Sequence, residues 1–250
     1  YSNEAFALAG YLVEAIADTN FEDYCQENIF IPLGMNETSW FLSGLNRENI
    51  AVPYRYRVSN GNYTSAGHLG LANYPAGQLR TSAVKFARFM TAFMQMGEYN
   101  GVRILDSSTV ELMTTVQYPN ISPYLGLGWM VFYFQLPDFE NALYFGHTGG
   151  TYGCRTVMDY SPDYDVGIIV LTNGESFDGA VTIWDELLKY TLLQSKIYAT
   201  NLKLSSSFMQ TKDDTLTITT QLRNPNNHTF TANAVITDIN KTQVDSIALY

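Results

Sequence analysis

The chain has 250 residues, 46% of them hydrophobic, and carries 14 Lys and Arg against 24 Asp and Glu for a formal charge of −10. That is enough apolar material for one large domain, or one domain and part of another, and it lacks the basic face that a nucleic acid partner requires. No apolar run approaches the ~18 residues of a membrane span, the longest compact one being Val166–Leu171, and the distant Cys25 and Cys154 are expected as packed free thiols.

The chain opens on Tyr1 rather than Met, which raises the expectation of sequence upstream. Ala5, Leu8, Ala9, Leu12, Val13 and Ile16 recur at helical spacing and predict a buried helix, with Asn3 as N-cap and Asp18-Thr19-Asn20 as its stop. A second helix is predicted over about 21–30, ended by Pro32-Leu33-Gly34. Residues 43–80 read as a long irregular, polar stretch, and loops of that length commonly wrap a site. Thr81 or Ser82 then caps a helix whose Phe86, Phe89, Met90, Phe93 and Met94 form a core stripe before Gly97 closes it. Ser108-Thr109-Val110-Glu111 has capping-box spacing and opens a short helix to about Thr115.

The period then changes. Leu127, Trp129, Val131 and Tyr133 alternate as a strand within 125–136, and 141–146 reads as another. The stretch Phe145-Gly146-His147-Thr148-Gly149-Gly150-Thr151-Tyr152-Gly153 sets bare backbone and a histidine in a strand, where glycine costs stability, so it marks a bulge or a place where a ligand approaches the main chain. It leads into a hairpin of 154–160 and 165–173 about the turn Ser161-Pro162-Asp163-Tyr164. A helix over about 178–197, with Ala180, Ile183, Trp184, Leu187 and Leu188 on one face, is placed across that sheet. Helices, antiparallel sheet and covering helix make an α+β domain over 1–198.

Beyond 198 the texture shifts to short Thr-, Ser- and Asn-rich strands at 202–210, 215–222, 230–238 and 244–250. Turn signals stand at 212–214 and 224–227, and the whole reads as the beginning of a β-sandwich module over 199–250. The search for chemistry is mostly negative: the chain has no G-x-S-x-G elbow, no H-E-x-x-H, no phosphate loop and no dinucleotide fingerprint. His68, His147 and His228 are scattered, so neither a metal nor another cofactor is expected. What is left is a tyrosine at a helix start and a histidine beside glycine-rich strand backbone.

Those pieces resemble a known family. Tyr1-Ser2-Asn3 looks like the Y-x-N motif, and His147-Thr148-Gly149 like the K-T-G box in its H-x-G form, of the serine β-lactamase and penicillin-binding protein superfamily. The similarity is closest to its class C-like branch of DD-peptidases, D-aminopeptidases and esterases. Ile31–Thr38, Pro75–Ser82 and Gly126–Trp129 fall in the family's order, and the resemblance covers about residues 1–197.

The resemblance implies a β-lactamase/transpeptidase-like fold and export to the periplasm or outside the cell, and the strand-rich stretch after it is expected to begin an immunoglobulin-like accessory module. It also implies acyl transfer through a serine of an S-x-x-K motif one helix before Y-x-N. The sole S-x-x-K here, Ser82-Ala83-Val84-Lys85, follows Y-x-N, so Ser82 is read as a helix cap and the nucleophile is expected upstream of the chain. In that frame Tyr1 is the general base or proton relay and Asn3 a donor to a substrate carbonyl or amide. His147 is a weaker, pH-dependent cation in the lysine place, Thr148 a substrate hydrogen-bonder, and Gly150 an oxyanion-hole N–H. Gly149 and Gly150 leave room for a small-molecule or peptide-like substrate lying along the strand. The rival expectation is a catalytically silent homologue that only binds such ligands.

Overall fold

A computed structural model describes residues 1–135, 141–198, 203–212, 215–223, 229–236 and 247–249. They form two compact units, Tyr1–Lys189 and Tyr190–Tyr250.

The first unit begins with α1 (Asn3–Ala17), α2 (Phe21–Cys25) and a π-helical turn, Gln26–Phe30, that extends α2. Gly34 then leaves in the left-handed region, as the glycine after a helix is expected to. A small hairpin follows, β1 (Tyr54–Arg57) with β2 (Asn62–Ser65). Next comes α3 (Ala83–Met94), whose N-cap Ser82 accepts from the Lys85 N–H at 3.3 Å. A two-residue pair, β3 (Glu98–Tyr99) and β4 (Val102–Arg103), leads to α4 (Ser107–Thr114). Asp106 occupies the N-cap of α4, so the capping box read at Ser108 is two residues late.

The sheet is an antiparallel meander, β5 (Met130–Phe134), β6 (Ala142–Thr151), β7 (Cys154–Ser161) and β8 (Val166–Thr172), in that spatial order. Helix α5 (Phe177–Tyr198) follows. This is the expected α+β arrangement.

Strand parity divides the side chains. Phe145, Met158 and Tyr160 pack with Trp129 against Met90 and Phe93 of α3. Tyr144 and Asp159 point to the opposite face, where Phe132 stacks on Tyr144 and Phe134 meets Trp184 of α5 edge-on at 5.4 Å. Helix α3 also joins a second cluster through Ala92, with Cys25, Phe30, Leu33 and Met35. Its Phe/Met stripe is core, as the spacing predicts.

Two expectations about packing need correction. The apolar stripe of α1 is not buried: Leu8, Leu12 and Ile16 are exposed, and Gly10 is the helix's one buried residue, set against Pro75. Helix α1 thus docks by close backbone approach and not by its leucines. Among the described side chains of α5 the buried face is narrower than the spacing predicts, with Ala180, Trp184 and Leu188 buried at intervals of four while Ile183 and Leu187 are exposed.

The second unit takes in the end of α5 and one antiparallel sheet of order β12-β11-β10-β9, built from β9 (Lys203–Lys212), β10 (Thr215–Arg223), β11 (Thr229–Ile236) and β12 (Ile247–Leu249). The turn residues 213–214 and 224–227, and His228, lie outside the described residues.

Candidate active site

The site is built where the start of α1 meets the second half of β6. Ser2, not Asn3, caps α1: its Oγ accepts from the Ala5 N–H at 3.2 Å. The one-residue shift makes Asn3 the first helical residue and leaves its exposed carboxamide uncommitted to the cap. The helix is fixed at its far end by Glu14, which accepts from the Phe21 N–H at 2.8 Å and from the Tyr74 hydroxyl at 3.1 Å. With Gly10 on Pro75, these contacts set Tyr1 beside the 74–76 turn, its hydroxyl 3.5 Å from the Ala76 carbonyl.

From that position Tyr1 reaches β6. Its ring lies 5.4 Å from the His147 imidazole at 49°, and 5.2 Å from the Phe6 ring at 33°. Tyr1 is 71% exposed, so the residue stays accessible to a ligand although its hydroxyl reaches the Ala76 carbonyl. The His147 Nδ1–H donates to the Thr148 carbonyl at 2.6 Å, which fixes the ring and leaves Nε2 for a ligand. The structure therefore brings Tyr1 and His147 together, 146 positions apart in the chain.

The register explains why this part of β6 is accessible. Strand β5 pairs with Ala142–Gly146 only, whereas β7 pairs along the other edge from Phe145 to Thr151. Among the described residues no strand covers His147–Thr151 on the β5 side, so their N–H and C=O groups on that edge are open to an added chain. Thr148 and Gly150 are exposed there. Gly149 has a reason of its own, since a Cβ would collide with the Thr156 hydroxyl across the pair.

Other reactive groups are accounted for. Burial pushes the Cys154 thiol up, Arg80 and Arg155 offsetting only part of the rise, so it rests protonated. Cys25 and Cys154 are both free thiols. No group of three metal-ligating side chains occurs among the described residues, and no described helix is long and apolar enough to cross a membrane.

The sequence model of the beta-lactamase family matches residues 1–191. The chain belongs to the beta-lactamase family. It is 26% identical over 197 residues to a putative D-alanyl-D-alanine carboxypeptidase of Escherichia coli O157:H7, a match covering 69% of this chain and 44% of that protein. Its fold is that of the octameric penicillin-binding protein homologue of Pyrococcus abyssi (TM-score 0.63, 17% identity, 95% of this chain and 61% of the other). A class C beta-lactamase shares it (TM-score 0.58, 18% identity, 78% and 56%). The chain thus spans less than half the length of that relative.

In this beta-lactamase family chain Ser82-Ala83-Val84-Lys85 is a helix cap in fact: Ser82 holds the first turn of α3, and the Lys85 ammonium pairs with Glu37 at 2.6 Å. Two features escaped the sequence reading. Asp159 is buried under Gly146, next to His147 in β6. Desolvation pushes its carboxyl up to about 7, and the Trp184 indole, which completes no hydrogen bond of good geometry among the described residues, offsets part of that rise. The β1–β2 hairpin lies inside the stretch expected to be irregular, although Asn60-Gly61 between two tyrosine-bearing runs is a hairpin signal, and Gly61 does turn through positive φ.

Proposed function

We propose that this chain is part of a serine hydrolase of the β-lactamase/penicillin-binding type, which resolves an acyl-enzyme formed from an amide, ester or lactam, with peptide or D-amino-acid derivatives as substrates. The observation that carries the reading is the Tyr1–His147 ring contact at the head of the open β6 edge. A substrate added along His147–Thr151 has its reacting carbonyl beside the Tyr1 hydroxyl, as proton transfer requires.

Tyr1 serves as base or proton relay, Asn3 donates to the substrate, and His147 and Thr148 hydrogen-bond it. Gly150 supplies a backbone N–H to the developing oxyanion, and Gly149 keeps the strand bare. The nucleophilic Ser and its Lys are supplied by sequence before Tyr1. That assignment is supported by the capping role of Ser82 and by the greater length of the relatives. The protein acts in the periplasm or outside the cell, and residues 199–250 begin an immunoglobulin-like accessory module after the catalytic domain over 1–198.

The test is covalent labelling of the complete protein with a serine-directed fluorophosphonate, read by intact mass. A stoichiometric adduct on a serine upstream of Tyr1 is expected, and none on the 250-residue chain alone. Absence of any adduct on the complete protein sinks the hydrolase reading in favour of a silent peptide binder.

A further inference from the structure

The geometry points to a second recognition element at the far end of the open β6 edge: a cavity of about 570 Å³ between the β1–β2 hairpin and Tyr152 that takes a carboxylate carried by the substrate. This rests on the substrate lying along His147–Thr151, and it adds what that reading lacks, a determinant of which substrates are taken.

The cavity is lined by Arg55, Arg57, Ser65, Leu69, Tyr152 and Glu175, among others. Its position is fixed by backbone. The Tyr54 N–H donates to the Asn173 carbonyl at 2.9 Å, and the Asn173 side chain donates to the Val52 carbonyl at 3.0 Å, so the hairpin is tied to the end of β8. Gly153, just past β6, abuts Pro53 and Tyr54, its absent Cβ leaving them room. The hairpin therefore stands where β6 runs out, four residues or about 13 Å along the strand from Thr148.

The charges are arranged unequally. Arg55 is satisfied inside the cavity: its Nε donates to Glu175 at 3.1 Å and its guanidinium lies 5.4 Å from the centre of the Tyr152 ring. Arg57 is not. Its Nε donates to the Thr64 hydroxyl at 3.0 Å, and no carboxylate pairs with it among the described residues, so its two terminal nitrogens remain as a planar fork suited to a carboxylate. Two guanidiniums face one carboxylate here, in a chain whose net charge is −10. The cavity is thus a cationic exception on an acidic protein. Tyr152 and Leu69 add apolar wall for the stem that bears the anion.

A peptide running antiparallel to β6 brings its N-terminal end to Tyr152, and three extended residues span about 10 Å. The probes are therefore glutaryl-trialanine amide and acetyl-trialanine amide, which differ at that end by a carboxylate and its stem, titrated calorimetrically into the chain at low salt. The glutaryl peptide is expected to bind at least about tenfold more tightly, in keeping with a charge-assisted pair. Arg57→Gln is expected to abolish the preference, and Glu175→Gln, which frees Arg55, to enlarge it. This gain separates a lost contact from a damaged fold.

Equal affinities, no binding of either peptide, or a preference that survives Arg57→Gln overturns the inference. All of these are equilibrium readouts without chemistry, so the cavity can fail while phosphonate labelling succeeds, and the reverse.

Discussion

Gly146 and Asp159 face one another across β6 and β7 so closely that a methyl group on Gly146 would run into the Asp159 carboxylate and the Met158 carbonyl. The glycine before His147 is thus required by what lies beneath the strand. Gly146→Ala should cost about 1–3 kcal/mol or more, because a backbone carbonyl cannot yield as a flexible side chain does. Denaturant titration measures it. The double variant with Asp159→Ala should recover part of the loss, and strictly additive costs would show that the two residues do not meet.

Burial holds the Asp159 carboxyl near pH 7, against the ordinary aspartate value of about 4 in an unfolded chain. The folded protein therefore keeps this proton between about pH 4 and 7 while the unfolded chain has lost it. Asp159's contribution is fully present below about pH 4 and is lost as pH rises through 7, at a slope of at most about 1.4 kcal/mol per pH unit. The groups around it include Tyr144, pushed up to about 12 by burial with Tyr164, Asp163 and Asp159 adding to the rise, and Trp184 of α5. Asp159→Asn stays neutral throughout, so its melting temperature relative to the parent should climb from pH 5 to pH 8. A constant offset would place the titration elsewhere.

The sheet and α3 are legible in the sequence because their patterns are strong. Alternation marks β5, a continuous apolar run marks β8, and Phe86, Phe89, Met90, Phe93 and Met94 follow helical spacing into a core that exists. The environment of α1 is not legible, because periodicity identifies an apolar stripe and says nothing about what covers it. Leu8, Leu12 and Ile16 have the pattern of a core helix and stand exposed, while the contact that docks the helix, Gly10 on Pro75, carries no hydrophobic signal. The Y-x-N and H-x-G pieces were legible as motifs. The closeness of Tyr1 to His147 was not, since it depends on tertiary packing of α1 against the 74–76 turn. Asp159 was invisible for a similar reason: one carboxylate in a strand becomes notable only once α5 and Gly146 close over it.

That contrast is measurable. Phe93 is 2% exposed between Phe89 and Trp129, and Phe93→Ala should cost about 3–5 kcal/mol in this chain. Leu12, 51% exposed, should cost less than about 0.5 kcal/mol on truncation to Ala. Comparable losses would mean that the α1 stripe is covered in solution.

Gly153 turns at φ 74°, and a Cβ there would lie 2.7 Å from the Pro53 Cβ and 2.8 Å from the Tyr54 nitrogen. Gly153→Ala meets both the left-handed backbone penalty and the hairpin, together about 1–3 kcal/mol. The hairpin is the part able to move, so the loss should be local: faster hydrogen exchange at the Tyr54 amide, which donates to Asn173, with exchange in β7 unchanged. Uniform acceleration across the sheet would contradict that separation.

Tyr1→Phe tests the Tyr1 hydroxyl without disturbing its ring. The tilted ring contacts with Phe6 and His147 remain, and the hydroxyl's hydrogen bond, to Ala76 at 3.5 Å, is at the outer limit of length, so stability should change by less than about 0.5 kcal/mol. If the hydroxyl is the proton relay in the complete protein, acylation by a chromogenic ester should fall about 10²–10⁴-fold, the range lost with a positioned acid or base. Stopped-flow measurement of the acylation phase reads this directly, and its pH dependence should change along with its rate. A rate near that of the parent at unchanged stability would leave Tyr1 as a ring that orients His147 and would remove it from proton transfer.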